Sequence, residues 1–168
     1  IIGGGQLGRM LALAAAHLGF KCHIYAPPGD NPAFDVAHAH TSAGYDDEQA
    51  LAAFAATCDV VTYEFENVPL TTANLVGAHA TLSPPPLALD VSQHRVSEKT
   101  FLANAGLKTA DWLHNDDSDE LLRQAAAEFD RSSRRCIVKT CRLGYDGKGQ
   151  MRAANGDELR TALDTFAG

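Results

Sequence analysis

The sequence predicts an α/β protein: a parallel sheet with helices on both faces, followed by a second, smaller unit. Three observations lead there. Short apolar runs alternate with stretches of helical periodicity through the first half of the chain. A glycine turn, GGGQLG (residues 3–8), opens the first of those helices. The run SPPP (residues 83–86) then breaks the alternation, and the order of elements changes beyond it.

GQLGRMLALAAAHLG places Leu7, Leu11, Ala14 and Leu18 on one helical face, with Gly19 positioned to cap the end. KCHIYA reads as a strand. DDEQALAAFAAT is a second helix with acids in its first turn, where the helix dipole favours them. DVVTYEFE is a strand, TTANLVGAH a short helix and ATLS a last short strand. Strands linked through helices in this way pair in parallel. A strand should also precede the glycine turn, but only Ile1 and Ile2 stand before it, so the native chain is expected to start earlier.

The prolines of SPPP predict a stiff extended linker, and the expected domains are residues 1–83 and 84–168. Beyond the linker, HRVSEKTFLANAGL is a helix with Ser97 near its start and Gly106 at its end. SDELLRQAAAEF is another helix, CIVKT a strand, QMRAAN a second strand and DELRTALDTFAG a final amphipathic helix. So few strands do not close a sheet, and this unit is expected to continue past Gly168.

Composition narrows the function. The 168 residues are 45% hydrophobic and 21% charged, as in globular proteins. A net charge of -7 argues against a nucleic-acid surface, which needs clustered Lys and Arg. A local basic cluster can still serve a small anion. Cys22, Cys58, Cys136 and Cys141 form no C-x-x-C pair and read as reduced thiols of a reducing compartment. No apolar run approaches the roughly 18 residues of a membrane span.

GGGQLG satisfies G-x-G-x-x-G with Gly3, Gly5 and Gly8, a turn that aims backbone N–H groups at an anion. A nicotinamide dinucleotide site also needs an acid at the end of the second strand. Tyr25, Ala26 and Pro27 stand there instead, with Asp30 beyond two prolines, which argues against NAD. A tight βα turn with no ligand is the plain alternative. YEFENVP puts Glu64 and Glu66 two apart at a strand end, on one face by the period of two. That edge of a parallel sheet is where ligands bind, and two carboxylates there suit ribose hydroxyls or an amine. A solvated strand end is the alternative.

GYDGKGQ (residues 144–150) is not a Walker loop, because Gly149 follows Lys148. It joins two strands as a mobile flap whose N–H groups and Lys148 offer positive potential to phosphates. Lys139, on the preceding strand, points opposite to Val138 and into a cleft, where a lysine among apolar neighbours calls for an anion. The alternative is a flexible hairpin with a solvated lysine.

Taken together and in this order, GGGQLGRML, YEFENVP and VKT with GYDGKGQ resemble one family over essentially the whole chain. It is the 5-(carboxyamino)imidazole ribonucleotide synthases of the ATP-grasp superfamily, the ATPase subunit of phosphoribosylaminoimidazole carboxylase. The resemblance implies a Rossmann-like N-terminal domain, then a two-part ATP-grasp domain of which this chain holds the first part. It implies ATP and Mg2+ as cofactors, with the metal ligands beyond Gly168 and none within this chain. The substrates it implies are bicarbonate and aminoimidazole ribonucleotide, joined through carboxyphosphate in purine biosynthesis. The full-length protein is expected to be a cytoplasmic homodimer, and this chain alone is not expected to turn over.

By position, the resemblance gives Lys139 and Arg95 to the ATP phosphates. It gives Gly144, Tyr145, Asp146, Gly147, Lys148, Gly149 and Gln150 to the flap that closes over them, with Lys148 as its candidate catalytic side chain. Gln6, Leu7 and Glu64 fall to the ribonucleotide, Glu66 less securely, and Trp112 reads as packing. Many members carry arginine where Cys141 stands, which removes a basic group near Lys139. A sister enzyme, the formate-dependent glycinamide ribonucleotide transformylase, usually has serines before GKGQ, so Tyr145 and Asp146 favour the carboxylating branch. A non-catalytic nucleotide-binding module and a Rossmann dehydrogenase are the other readings, the latter disfavoured by the missing acid.

Overall fold

The computed structural model describes residues 1–132, 135–144 and 147–166, with the backbone alone at 129–132. It falls into two compact units, residues 1–92 and 93–168.

In the first unit, Gly5 leads into α1 (Gln6–His17). β1 (His23–Ala26), a 3-10 turn (Phe34–Val36) and β2 (Ala39–Ser42) follow. Next come α2 (Glu48–Ala56), β3 (Val60–Val61), α3 (Leu70–His79), β4 (Thr81–Leu82) and α4 (Pro86–Ser92). β1 pairs with β2 and β3 with β4, both in parallel. Ile2 joins the two pairs by parallel bridges to Tyr25 and Tyr63. Its N–H donates to the Thr62 carbonyl at 2.8 Å, and its carbonyl accepts from the Glu64 N–H at 3.1 Å. The spatial order is therefore β2, β1, the Ile2 segment, β3, β4. The chain runs outward one way from Ile2 and then returns to the other side, which is the doubly wound arrangement with its switch point at Ile2.

Burial explains the elements. Ile2, Tyr25, Leu51, Phe54, Val61, Val68, Val76 and Leu89 form one core between α2, α3, α4 and the sheet. The Asp47 carboxylate caps α2 by accepting the Ala50 N–H at 2.9 Å. At the end of α1, Gly19 has φ +86° and Phe20 N–H returns to the Ala15 carbonyl, closing the helix as its glycine predicts.

The inward face of α1 differs from expectation. Gly8 and Ala12 are its buried residues, whereas Leu7 and Leu18 are 59% and 76% exposed. The helix lies too close to the chain beneath it for a large side chain: a Cβ on Gly8 would stand 2.5 Å from the Gly3 carbonyl oxygen. A backbone oxygen cannot rotate aside, so overpacking of about 1–3 kcal/mol outweighs the helix-propensity gain of about 1 kcal/mol. Gly8→Ala should therefore lower stability by up to about 2 kcal/mol, read as a lower urea midpoint at unchanged slope.

Four other expectations change. β2 is an additional strand whose residues alternate between half-buried and exposed, a weak signal in AHTS. The segment after SPP is helical from Pro86 rather than extended, because proline's fixed φ suits a first helical turn. α4 packs on α3, with Leu89 in the core, and so belongs to the first unit; the division falls after Ser92 rather than at Ser83. The strand read over DVVTYEFE is short. It ends at Val61 with a bridge at Tyr63, and Glu66 lies in the turn that leads to α3, so the period of two does not extend to it.

The second unit contains α5 (Arg95–Asn104), α6 (Ser118–Ser132), β5 (Cys136–Lys139), β6 (Gln150–Ala153) and α7 (Gly156–Phe166). β5 and β6 form an antiparallel hairpin in which Cys136 faces Ala153, Ile137 faces Arg152, Val138 faces Met151 and Lys139 faces Gln150. α6 and α7 cover one face, where Ala153, Leu159 and Leu163 pack with Leu121, Leu122, Ala125, Cys136 and Val138. Asn155 and Glu158 cap α7 reciprocally: Asn155 Oδ1 accepts the Glu158 N–H and Glu158 Oε2 accepts the Ala154 N–H. Trp112, expected to pack, is 40% exposed.

Candidate functional site

Each unit carries its own part of the predicted site. In the first, the glycine turn, the start of α1 and the end of the β3 segment meet at the carboxyl edge of the sheet, at the switch point. Gly3 has φ +122°, and a Cβ there would stand 2.5 Å from Glu64 Oε1, so the acid lies directly against the turn. The half-buried Glu64 carboxylate accepts the backbone N–H groups of Gly5 and Gly8. A side chain of this chain thus takes the helix N-terminus that holds a pyrophosphate in a dinucleotide fold. Together with the uncharged end of β1, this removes the dehydrogenase reading.

Burial raises the Glu64 carboxyl above its ordinary value, and the two N–H donors only partly oppose that. The folded protein therefore binds this proton more tightly than the unfolded chain. Its contribution to stability is complete below the ordinary value of 4.5 and is lost as pH rises through the folded value. A glutamine can keep the N–H bonds through its amide oxygen without burying a charge. Glu64→Gln should raise the melting temperature of the unliganded protein at pH 7, and the gain should shrink toward pH 4. An equal offset at both pH values would show that ionisation is not the cause.

Gln6 and Leu7, the first residues of α1, stand exposed at the same edge. Glu66 is exposed in the following turn and is not brought beside Glu64 by the strand. The sequence reading missed Tyr45. It follows β2, stacks on Tyr25 with ring centroids 6.4 Å apart, and lies near enough to Glu64 to feel its charge. Its signal was hidden because the strand that delivers it was not recognised.

In the second unit, the uncovered hairpin face carries Ile137 and Lys139 on β5 and Gln150 and Arg152 on β6, all exposed. Lys139 points away from the packed Val138, as the alternation predicts. Arg152 shares this face and was not singled out from sequence; it lies diagonally across from Lys139, within reach of a common ligand. Neither has a polar side-chain partner among the described residues.

The loop between these strands begins with Thr140, whose N–H donates to the Gly149 carbonyl at 2.9 Å. Gly149 has φ +64°, and a Cβ there would collide with the Thr140 hydroxyl, so the loop closes on itself only with glycine. Gly147 and Lys148 stand exposed in the turn. Tyr145 and Asp146 lie outside the described residues. Arg95, the first residue of α5, donates its N–H to the Cys141 carbonyl at 2.9 Å, and its guanidinium lies beside Gly144. Its Nε is buried with no hydrogen-bond partner among the described residues, a donor held ready for an anion. The structure therefore gathers Arg95, Gly144 and Gly149 at the flap, with Lys139 at its base.

The cysteines are unpaired. Among the described residues, no group of three His, Cys, Asp or Glu side chains could hold a metal ion, and no helix is long and apolar enough to cross a membrane.

Comparison with known proteins matches residues 1–93 to the ribonucleotide synthetase preATP-grasp domain and residues 100–168 to the ATP-grasp domain. The N5-carboxyaminoimidazole ribonucleotide synthase of Brucella melitensis is 49% identical over 167 residues, 99% of this chain and 45% of that protein. The N5-carboxyaminoimidazole synthetase of Staphylococcus aureus, solved with ADP, is 36% identical with a TM-score of 0.88, covering 99% of this chain and 43% of that one. The Aspergillus clavatus synthase, solved with ADP and 5-aminoimidazole ribonucleotide, is 25% identical with a TM-score of 0.80, covering 98% and 42%. The chain thus spans less than half the length of these relatives.

Proposed function

Because this chain belongs to the ribonucleotide synthetase preATP-grasp family, its first unit joined to an ATP-grasp domain, we propose that the full-length protein carboxylates 5-aminoimidazole ribonucleotide. Bicarbonate attacks the γ-phosphoryl group of ATP, giving carboxyphosphate and ADP. The carboxyl group then passes to the exocyclic amine, releasing phosphate and forming N5-carboxyaminoimidazole ribonucleotide. The observation that carries this reading is the pairing, in one chain, of an acid-closed glycine turn with a lysine-bearing hairpin and a glycine flap.

Each unit has a separate part. Glu64, Gln6 and Leu7 bind the ribonucleotide at the switch point of the first unit. Lys139, Arg95 and the flap residues 144–150 bind the ATP phosphates in the second. Phosphoryl transfer asks a protein chiefly for positioning and for charge directed at the transferring oxygens. Lys139 and Arg95 supply positive charge, and the flap supplies N–H donors, Lys148 and exclusion of water. Magnesium neutralises phosphate charge in such reactions; among the described residues, no group of three His, Cys, Asp or Glu side chains could hold it. We place the full-length protein in the cytoplasm as a homodimer.

The test is phosphate release from ATP by the full-length protein. Release should require bicarbonate and aminoimidazole ribonucleotide. Release only with formate and glycinamide ribonucleotide would move the protein to the transformylase branch. No release with either pair would leave a nucleotide-binding module.

A further inference from the structure

We propose that Tyr45 binds the ribonucleotide directly: its phenol hydroxyl donates to one ribose hydroxyl while the neighbouring Glu64 carboxylate accepts from the other. The assignment rests on the functional reading above and adds a residue to its site.

The backbone around Tyr45 is held from two sides. The Tyr25 hydroxyl donates to the Gly44 carbonyl at 2.6 Å, and the Thr72 hydroxyl donates to the Tyr45 carbonyl at 2.6 Å. Thr72 is the buried polar residue of the described core, 1% exposed on α3. A hydroxyl in such a core persists because it is bonded, and here its bond fixes Tyr45 rather than its own helix. The Tyr45 ring is held as well, half-buried against the core and stacked on Tyr25. What these contacts leave unused is the phenol oxygen, which has no hydrogen-bond partner among the described residues. A residue whose backbone is held at its own carbonyl and at that of Gly44, whose ring stacks on Tyr25 and whose hydroxyl is unengaged among the described residues is a preorganised donor.

The neighbour defines the ligand. Burial, then the Glu64 charge, then Tyr25 push the Tyr45 phenol up to about 12, so at neutral pH it is an uncharged O–H and not a base. A carboxylate accepts only, whereas a phenol O–H can donate. A vicinal diol satisfies both, one hydroxyl donating to Glu64 and the other accepting from Tyr45. A phosphate at this point would be repelled by Glu64, and a protonated amine, which has no lone pair, could not accept from the phenol.

The experiment compares full-length wild type with Tyr45→Phe, which keeps the ring and its stacking. Phosphate release is measured with aminoimidazole ribonucleotide and with its 2′-deoxy and 3′-deoxy analogues, at saturating ATP and bicarbonate. The variant should show a KM for the ribonucleotide raised about 10-fold, with KM for ATP and melting temperature unchanged. One deoxy analogue should be weakened in wild type but bind the variant as well as the parent substrate does. A variant with wild-type KM, or analogues that weaken both proteins equally, would overturn the assignment. If wild type itself shows no ribonucleotide-dependent release, the functional reading fails and the assignment falls with it.

Discussion

Lys139→Ala in the full-length protein should abolish ATP turnover at a practical level, lowering kcat by about 10²- to 10³-fold, the usual loss when one fixed donor to developing charge is removed. The size follows from where the lysine sits. It lies on a paired strand, its backbone set by the register with Gln150, and on the face that α6 and α7 leave uncovered. A strand lysine therefore aims its charge reproducibly, while Lys148 hangs from a flap. Because Lys139 is exposed and makes no ion pair among the described residues, its removal should leave the melting temperature unchanged. Retained turnover in a folded Lys139→Ala protein would show that the phosphate contact lies elsewhere, and Arg152, on the same face, would be the next residue to replace.

Glu64→Ala should act on the other ligand. It removes a carboxylate that bonds to Gly5 and Gly8 at the carboxyl edge of the sheet, where we place the ribonucleotide. Loss of a charged hydrogen-bond partner is worth about 1.5–3 kcal/mol, which corresponds to a KM for the ribonucleotide raised about 10- to 150-fold. Affinity for ATP should be spared, since the residues assigned to ATP belong to the second unit. Equilibrium binding of ADP and of the ribonucleotide, measured separately, reads this directly. If Glu64→Ala changes nucleotide affinity and leaves the ribonucleotide untouched, the division of ligands between the two units is wrong. Glu64→Gln separates charge from shape: it keeps an acceptor for the N–H groups and should weaken the ribonucleotide while making the unliganded protein more stable. That opposition is the usual relation between a functional carboxylate and the fold that carries it.

The turns were legible because their causes are short-range. Gly19, Gly106, Gly147 and Gly149 all have positive φ, and each was placed at a helix end or in the flap from sequence. The acids at the start of α2 were legible for the same reason, since a cap acts over a few residues. β2 was not, because four residues of weak alternation are indistinguishable from a loop until a partner strand pairs with them. The inward face of α1 was misread because three exposed leucines outweigh one glycine and one alanine in any pattern of hydrophobicity. The reason for small residues there is the approach of a carbonyl from another segment.

By itself, then, the sequence determined the glycine turn, the acid at residue 64, the strand lysine and the flap, and through their order the family to which the chain belongs. Those features rest on backbone dihedrals and on side-chain chemistry that each residue carries wherever it goes. Tertiary structure alone decided that Glu64 closes the start of α1, that Arg95 reaches Gly144, and that Tyr45 is held by Thr72 and stacked on Tyr25 within range of the Glu64 charge. Each of these joins residues far apart in the chain, and only the pairing of Ile2 with Tyr25 and Tyr63, or of Arg95 with Cys141, brings them together.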